Sequence, residues 1–194
     1  MKIILASKSE VRKNILDKNN IDCEVVPSNV DEDQAKESLE AAGADSLLIS
    51  KNLAELKSVK VSKTYPERLV LGADSVVSLN EKIINKPKNR KEAFGILKTL
   101  NNSVHYLISS VCISLNGSMI WNFSDKSELK MKNLSDEQID SYLSKIKTDT
   151  LLNYGVYQIE ASGKELFEHI KGDENSIMGL PIEKIKQYLK NYKK

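Results

Sequence analysis

This sequence is poor in the features that mark most specialised chains. It has two cysteines, Cys23 and Cys112, far apart, each in an apolar strand-like run and neither with a CxxC companion. That argues against a disulfide framework and for two buried free thiols. The two histidines, His105 and His169, belong to no His/Cys cluster, which argues against a zinc site. No stretch approaches the roughly 20 apolar residues that span a bilayer. The apolar part of Met1–Ser7 is too short for the core of a secretion signal. Nor does one charge dominate: 29 Lys and Arg stand against 27 Asp and Glu, a formal net of +2. The balance gives no case for a nucleic-acid polymer or a membrane surface as partner. The lysine-rich end, Lys184 to Lys194, reads as the solvated face and end of a last helix. Internal repeats and low-complexity linkers are missing too. The expectation is a soluble cytoplasmic protein whose 194 residues form a single domain, 1–194, with hydrophobic content of 40% for its core.

What is present begins with the run Leu69-Val70-Leu71-Gly72-Ala73-Asp74-Ser75-Val76-Val77. Its length and apolar content predict a buried strand. One carboxylate sits in its middle, and a buried carboxylate must be paired, hydrogen-bonded, metal-bound or protonated. Gly72 beside it lets another group approach the backbone. Downstream, Asn85-Lys86-Pro87 holds a lysine in a stiff turn, since the residue before a proline is restricted to extended conformations. An acid in a strand and a fixed lysine suit an anionic, phosphorylated substrate. A structural ion pair inside a core is the alternative.

Around that run the patterning predicts strands at Lys2–Ala6 and Cys23–Pro27, with a helix from near Glu10 between them. Asp31-Glu32-Asp33 reads as an acidic loop. A long helix, 44–61, carries an apolar stripe of Ile49, Leu53 and Leu56 with Lys57 at its margin. Ile83-Ile84 reads as a short hairpin partner, and Asn89 to Glu92 resembles a capping box opening a helix. Ser103–Leu115 and Ser118–Met131 alternate like two long antiparallel strands around an Asn116-Gly117 turn. Ser135 to Gln138 is a second capping box, 153–163 reads as loop or strand, and Pro181 starts the last helix. Helices between some strands and a hairpin in the middle make an α/β protein with a mixed sheet flanked by helices.

Several residues could do chemistry. Ser7 and Ser9 lie between a strand and a helix N-terminus, whose free N–H groups and partial positive charge suit phosphate. Arg12, one turn in, could fork onto phosphate oxygens. An N-cap serine and a surface arginine are the plainer alternative. Glu32 could help hold a hard divalent cation alongside phosphates, or sit in a solvated acidic loop. Lys57 could aim into a cleft, or snorkel. Glu160, in a flexible stretch, could read a base edge or lie exposed. His105, on a strand, reads as a structural histidine.

Taken in order, these segments resemble the Maf family of nucleoside triphosphate pyrophosphatases along nearly the whole chain. Leu5-Ala6-Ser7-Lys8-Ser9 is similar to the family's LASxS opening, Val30-Asp31-Glu32 to its VDE, and Leu53 to Lys57 to its LAxxKA. Gly72 to Val77 resembles GADTVV, Lys86-Pro87 resembles GKP, Gly155 to Glu160 stands where the family has GAYGIQ, and Met178 to Pro181 matches VGLP. Departures are specific. Glu10 and Val11 replace a proline and the first of two arginines, Arg12 keeping the second. Ser75 stands for threonine, Asn85 for glycine and Glu160 for glutamine, and Leu152 and Asn153 replace an acid and a lysine. A nonpolar residue before the retained arginine, with a later glutamate, is similar to the branch acting on 7-methyl-GTP rather than on dTTP and UTP.

The resemblance implies an elongated mixed sheet with the site in a cleft between two lobes, and often a homodimer. It implies hydrolysis of a nucleoside triphosphate to the monophosphate and pyrophosphate. Asp74 would be the general base. Ser7, Ser9, Arg12, Glu32, Lys57 and Lys86 would bind the substrate, and Val11, Ser75 and Glu160 would face the base. Mg²⁺ or Mn²⁺, held with the help of Glu32 and Asp74, would be the cofactor. The competing expectation is a nucleotide-binding module that has lost turnover along with the missing acid and lysine.

Overall fold

The computed structural model describes residues 2–192; Met1 of the opening stretch and Lys193 and Lys194 of the lysine-rich end lie outside the described residues. Strands β1 (Ile3–Leu5), β2 (Cys23–Val25), β3 (Val70–Leu79), β4 (Lys82–Ile84), β5 (Val104–Leu115), β6 (Ser118–Met131) and β7 (Phe167–Lys171) form one seven-stranded sheet. Its order is β2-β1-β3-β5-β6-β7, with β4 also on β3. β1 runs parallel to β2 and β3, and the other pairs are antiparallel. The mixed sheet read from the sequence is the one observed.

The helices are α1 (Glu10–Lys18), α2 (Glu32–Ala41), α3 (Ser46–Ser62), α4 (Arg90–Leu100), α5 (Asp136–Ser144), α6 (Thr148–Tyr154), α7 (Glu174–Ile177) and α8 (Ile182–Asn191). Their starts follow the caps. Asn89 accepts the Glu92 N–H, though the Glu92 carboxylate returns to the Lys88 N–H rather than closing the box on Asn89. The reciprocal box at Ser135 and Gln138 is complete. Pro181 is the residue before α8, one place earlier than expected.

Three local expectations differ from the fold. The acidic run is not a loop: Asp31 caps α2 by accepting the Gln34 N–H, and Glu32 and Asp33 form its first turn, where acidic groups meet the positive helix end. Part of the segment 153–163 is helical, ending α6 at Tyr154, and a short 3-10 turn spans Ser162–Leu166. The long helix does not bury an Ile-Leu-Leu stripe: Leu56 is 46% exposed, while Ser46, Ser50, Ala54, Ser58 and Ser62 are inside. The cause is proximity to β3. A Cβ on Gly72 would stand 2.2 Å from the Ala54 carbonyl oxygen. Only Ser and Ala fit along that contact, and the hydroxyls find partners there: Ser46 donates to Ser78 Oγ, and Ser50 to the Asp74 carbonyl.

Two apolar cores flank the middle of β3 on the side away from α3. One gathers Leu16, Leu71, Ala73, Ile113, Leu180 and Ile185. The other gathers Leu97, Leu100, Leu129, Ile139, Leu151 and Phe167, with Val77 and Leu79 packed against it. Ser75 stands between them. These are the two lobes, and the long β5–β6 hairpin runs through both.

Candidate active site

The edge of β3 parts where the lobes meet. β1 pairs with it at Val70 and Leu71, and β4 pairs with it from Val77 onward on the same side. From Gly72 to Val76 that edge has no strand beside it among the described residues, while β5 covers the other edge throughout. A cleft of about 1130 Å³ opens at this gap, lined by residues of α1, α2, β3, β4, the turn after β4 and the segment after α6. That is room enough for a nucleotide.

Side chains alternate along a strand, so Asp74 and Ser75 leave β3 on opposite faces of the sheet. Asp74 faces α3 and α2. It is 4% exposed, and its Oδ1 accepts from Lys57 Nζ at 2.8 Å. The same ammonium reaches Glu32 Oε2 at 2.9 Å. Lys57 thus does not snorkel; it is buried between two carboxylates of very different exposure, the Asp74 side chain at 6% and Glu32 at 44%. Asp74 Oδ2 is buried and has no partner among the described residues. Burial works to raise the Glu32 carboxyl, but the Lys57 and Lys86 charges outweigh it and hold that carboxyl below the ordinary range. Lys86 reaches water but is walled in by the cleft. That enclosure, and next the charge of Arg12, draws its pKa down.

On the other face Arg12 does not offer its fork freely. Its Nε donates to the Gly179 carbonyl at 2.9 Å, Nη1 to Ser7 Oγ at 3.2 Å and to the Ala73 carbonyl at 3.0 Å, and Nη2 to Ser75 Oγ at 3.2 Å. Four of the five N–H donors of a guanidinium are therefore engaged within the protein, and Arg12 joins α1, the β3 edge and the turn at Gly179. Burial lowers its pKa, against the raising pull of Asp74 and Glu32. Ser9 caps α1 by accepting the Arg12 N–H, and Ser7 accepts the Ser9 N–H. Ser75 Oγ also pairs with Ser109 Oγ at 2.9 Å.

All ten residues singled out from the sequence line this one cleft: Ser7, Ser9, Val11, Arg12, Glu32, Lys57, Asp74, Ser75, Lys86 and Glu160. They do not sit together at one point. Asp74, Lys57 and Glu32 share one side of β3, and Arg12 and Ser75 the other. Sequence reasoning missed Gly179 and Ala73 as partners of Arg12, because both contribute backbone carbonyls that no residue type announces. Tyr154, exposed in the wall, was also missed; a lone aromatic at a helix end carries no signal.

Of the carboxylates that line the cleft, Asp74 and Glu32 are the two that converge on Lys57, and the orphaned Asp74 Oδ2 is the clearest open ligand position. Among the described residues no group of three or more His, Cys, Asp and Glu side chains could hold a metal ion by itself. This donor set fits a Mg²⁺-like ion that takes its remaining ligands from substrate phosphates and water, the usual mode for that metal.

An acid–ammonium–acid row thus stands at a parted strand edge, in a cleft that Arg12 and Lys86 also line. The chain belongs to the Maf family, whose model, described as "Maf-like protein", matches residues 2–192. It is 58% identical over 188 residues to the "Nucleoside triphosphate pyrophosphatase" of Pelagibacter ubique strain HTCC1062, covering 97% of this chain and 96% of that protein. It is 39% identical over 186 residues to the "dTTP/UTP pyrophosphatase" of Thermosipho africanus strain TCF52B, covering 95% and 90%. With the "7-methyl-GTP pyrophosphatase" of the Rhizobium etli strain ATCC 51251 it shares 35% over 181 residues, covering 93% and 91%.

Proposed function

We propose that this protein is a nucleoside triphosphate pyrophosphatase that cleaves a nucleoside triphosphate to the monophosphate and pyrophosphate, with a guanine-type base, such as that of 7-methyl-GTP, preferred. The observation that carries the reaction type is the buried Asp74, one oxygen held by Lys57 and the other free beside the cleft. In this reading the Asp74 carboxylate takes a proton from water as the water oxygen adds to the α-phosphorus. The bond from that phosphorus to the bridging oxygen breaks, and pyrophosphate leaves. A positioned base of this kind typically contributes about 10²–10⁴-fold. Lys57 and Lys86 meet the charge that builds on the leaving group. Arg12, engaged by four protein acceptors, keeps Ser7 and the Gly179 turn in place and has one N–H left for the substrate. When bound, Mg²⁺ or Mn²⁺ on Glu32 and Asp74 would neutralise phosphate charge and favour ionisation of water.

The base preference rests on residues, because overall identity to relatives named for purine and pyrimidine substrates is similar. Val11 offers an apolar wall and no donor. Glu160, exposed in the cleft wall, accepts hydrogen bonds when ionised, which suits the N1–H and N2–H₂ of guanine. A site built around such an acceptor rejects bases that leave it unpaired. One observation favours a second reading, a nucleotide-binding module without turnover: Leu152 and Asn153 in the cleft wall carry no charge where the family pattern has an acid and a lysine.

Pyrophosphate release from GTP, 7-methyl-GTP, UTP and dTTP, with Mg²⁺ and Mn²⁺ compared, decides between them. Turnover is expected, with kcat/KM higher for the guanine nucleotides, and Glu160→Gln should erode that ranking without changing the products. Binding without release would establish the module. Preference for pyrimidines, or an unchanged ranking in Glu160→Gln, would overturn the base assignment.

A further inference from the structure

One buried titratable group has no part in the chemistry above. His105, on β5, is fully buried among apolar residues of the distal core, the one containing Leu129 and Phe167. Its Nε2 is 3.0 Å from the Tyr157 hydroxyl, and its Nδ1 has no partner among the described residues. Its ring lies 5.8 Å from that of Phe167, and Tyr157 meets Phe167 edge-on at 4.9 Å. Burial keeps the imidazole neutral, with its pKa pushed down to about 4.

Tyr157 belongs to the segment 155–160, which follows α6 and carries Glu160 into the cleft. That segment is held mostly by itself. Gln158 Nε2 donates to the Gly155 carbonyl and the Ala161 N–H to the Gln158 carbonyl. Among the described residues the Tyr157–His105 contact is its only hydrogen bond to the sheet. Val156 and Ile159 are buried beside it, but apolar contacts are non-directional. A hydrogen bond to a ring fixed on a central strand adds a directional restraint. An apolar residue of histidine's size would fill the same space without stranding Nδ1, which is destabilising when buried unpaired. Simple packing therefore does not account for the choice of histidine.

We infer that His105 and Tyr157 are a buried positioning pair that fixes the segment 155–160 on the sheet, and so sets how sharply Glu160 discriminates between nucleobases from a point in the core of the lobe. The discrimination half of this rests on the base reading proposed above; the fixing of the segment does not.

The test compares the parent, Tyr157→Phe, which deletes one oxygen, and the double variant His105→Phe/Tyr157→Phe, which removes both polar groups together and so leaves no new orphan. Amide hydrogen exchange of the ligand-free proteins should rise at 155–161 in both variants by about fivefold, the worth of one neutral hydrogen bond, with β5 and β6 unchanged. The ratio of kcat/KM between the best and worst nucleotides should fall by a similar factor through KM, while kcat on the best nucleotide stays at the parent value. Unchanged exchange at 155–161 in both variants overturns the proposal whatever the activity. Faster exchange with an unchanged nucleotide ranking overturns the link to specificity. A parent whose ranking ignores Glu160→Gln defeats the base reading, yet faster exchange in the variants still supports the pair as the anchor of the segment.

Discussion

Removing the Lys57 ammonium is the most informative single perturbation. Lys57 and Asp74 are 5% and 4% exposed, and their charged atoms are 2.8 Å apart. Breaking such a pair from one side strands a buried charge and costs about 3–5 kcal/mol. The second contact of Lys57, to the half-exposed Glu32, is solvent-screened and worth about 0–1 kcal/mol. Lys57→Met, which keeps the stem, should therefore destabilise the fold by about 3–5 kcal/mol, whereas Glu32→Gln should cost less than about 1. Adding Asp74→Asn to Lys57→Met removes the stranded charge and should restore most of the loss. Urea unfolding of the parent, both single variants and the double at pH 8 measures all of this. A Lys57→Met protein within about 1 kcal/mol of the parent at pH 8, or a double variant no more stable than Lys57→Met, would show that the pair is not a buried ion pair and refute the reasoning.

Three further outcomes are expected. Asp74→Asn, whose amide oxygen can still accept from Lys57, should fold with reduced stability and lower kcat for pyrophosphate release by about 10²–10⁴-fold; near-parent kcat would remove Asp74 from the chemistry. Gly72→Ala places a Cβ 2.2 Å from the Ala54 carbonyl oxygen and 2.7 Å from the Ser58 nitrogen. Its thermal unfolding should report a loss at or beyond the roughly 3 kcal/mol upper end of overpacking, and catalysis should fall with it because α3 carries Lys57. His105 is neutral in the fold, with its pKa lowered from 6.5 to about 4. Below pH 6.5 the unfolded chain binds a proton that the folded protein refuses. The contribution is thus full above pH 6.5 and lost as pH falls towards 4, amounting to about 3 kcal/mol. Urea titrations across that window should show this loss in the parent and its absence in His105→Phe.

Much of this protein is legible one residue at a time. The β3 run, the β5–β6 hairpin with its Asn116-Gly117 turn, and the capped starts of α4 and α5 are local signals that the structure repeats. They are local because period-2 patterning, turn chemistry and capping act over a few residues. A single carboxylate within an apolar strand likewise announces a partner without naming it. Strand parity alone puts the neighbours Asp74 and Ser75 on opposite faces of the sheet.

What tertiary structure decided is which groups meet. That Lys57 sits between Asp74 and Glu32 depends on α3 approaching β3 closely enough for its serines and Gly72 to touch. A hydrophobicity pattern cannot show this, since small polar residues look like surface until the spacing between elements is fixed. That Arg12 is held by Ser7, Ser75 and the carbonyls of Ala73 and Gly179 depends on contacts up to 167 positions apart in the chain. Backbone acceptors are the same at every residue, so only their placement selects them. Local patterning sets the elements and the charges available to the site. The folded sheet, parting between β1 and β4, decided which charges neutralise one another and which oxygen, Asp74 Oδ2, is left without a partner among the described residues.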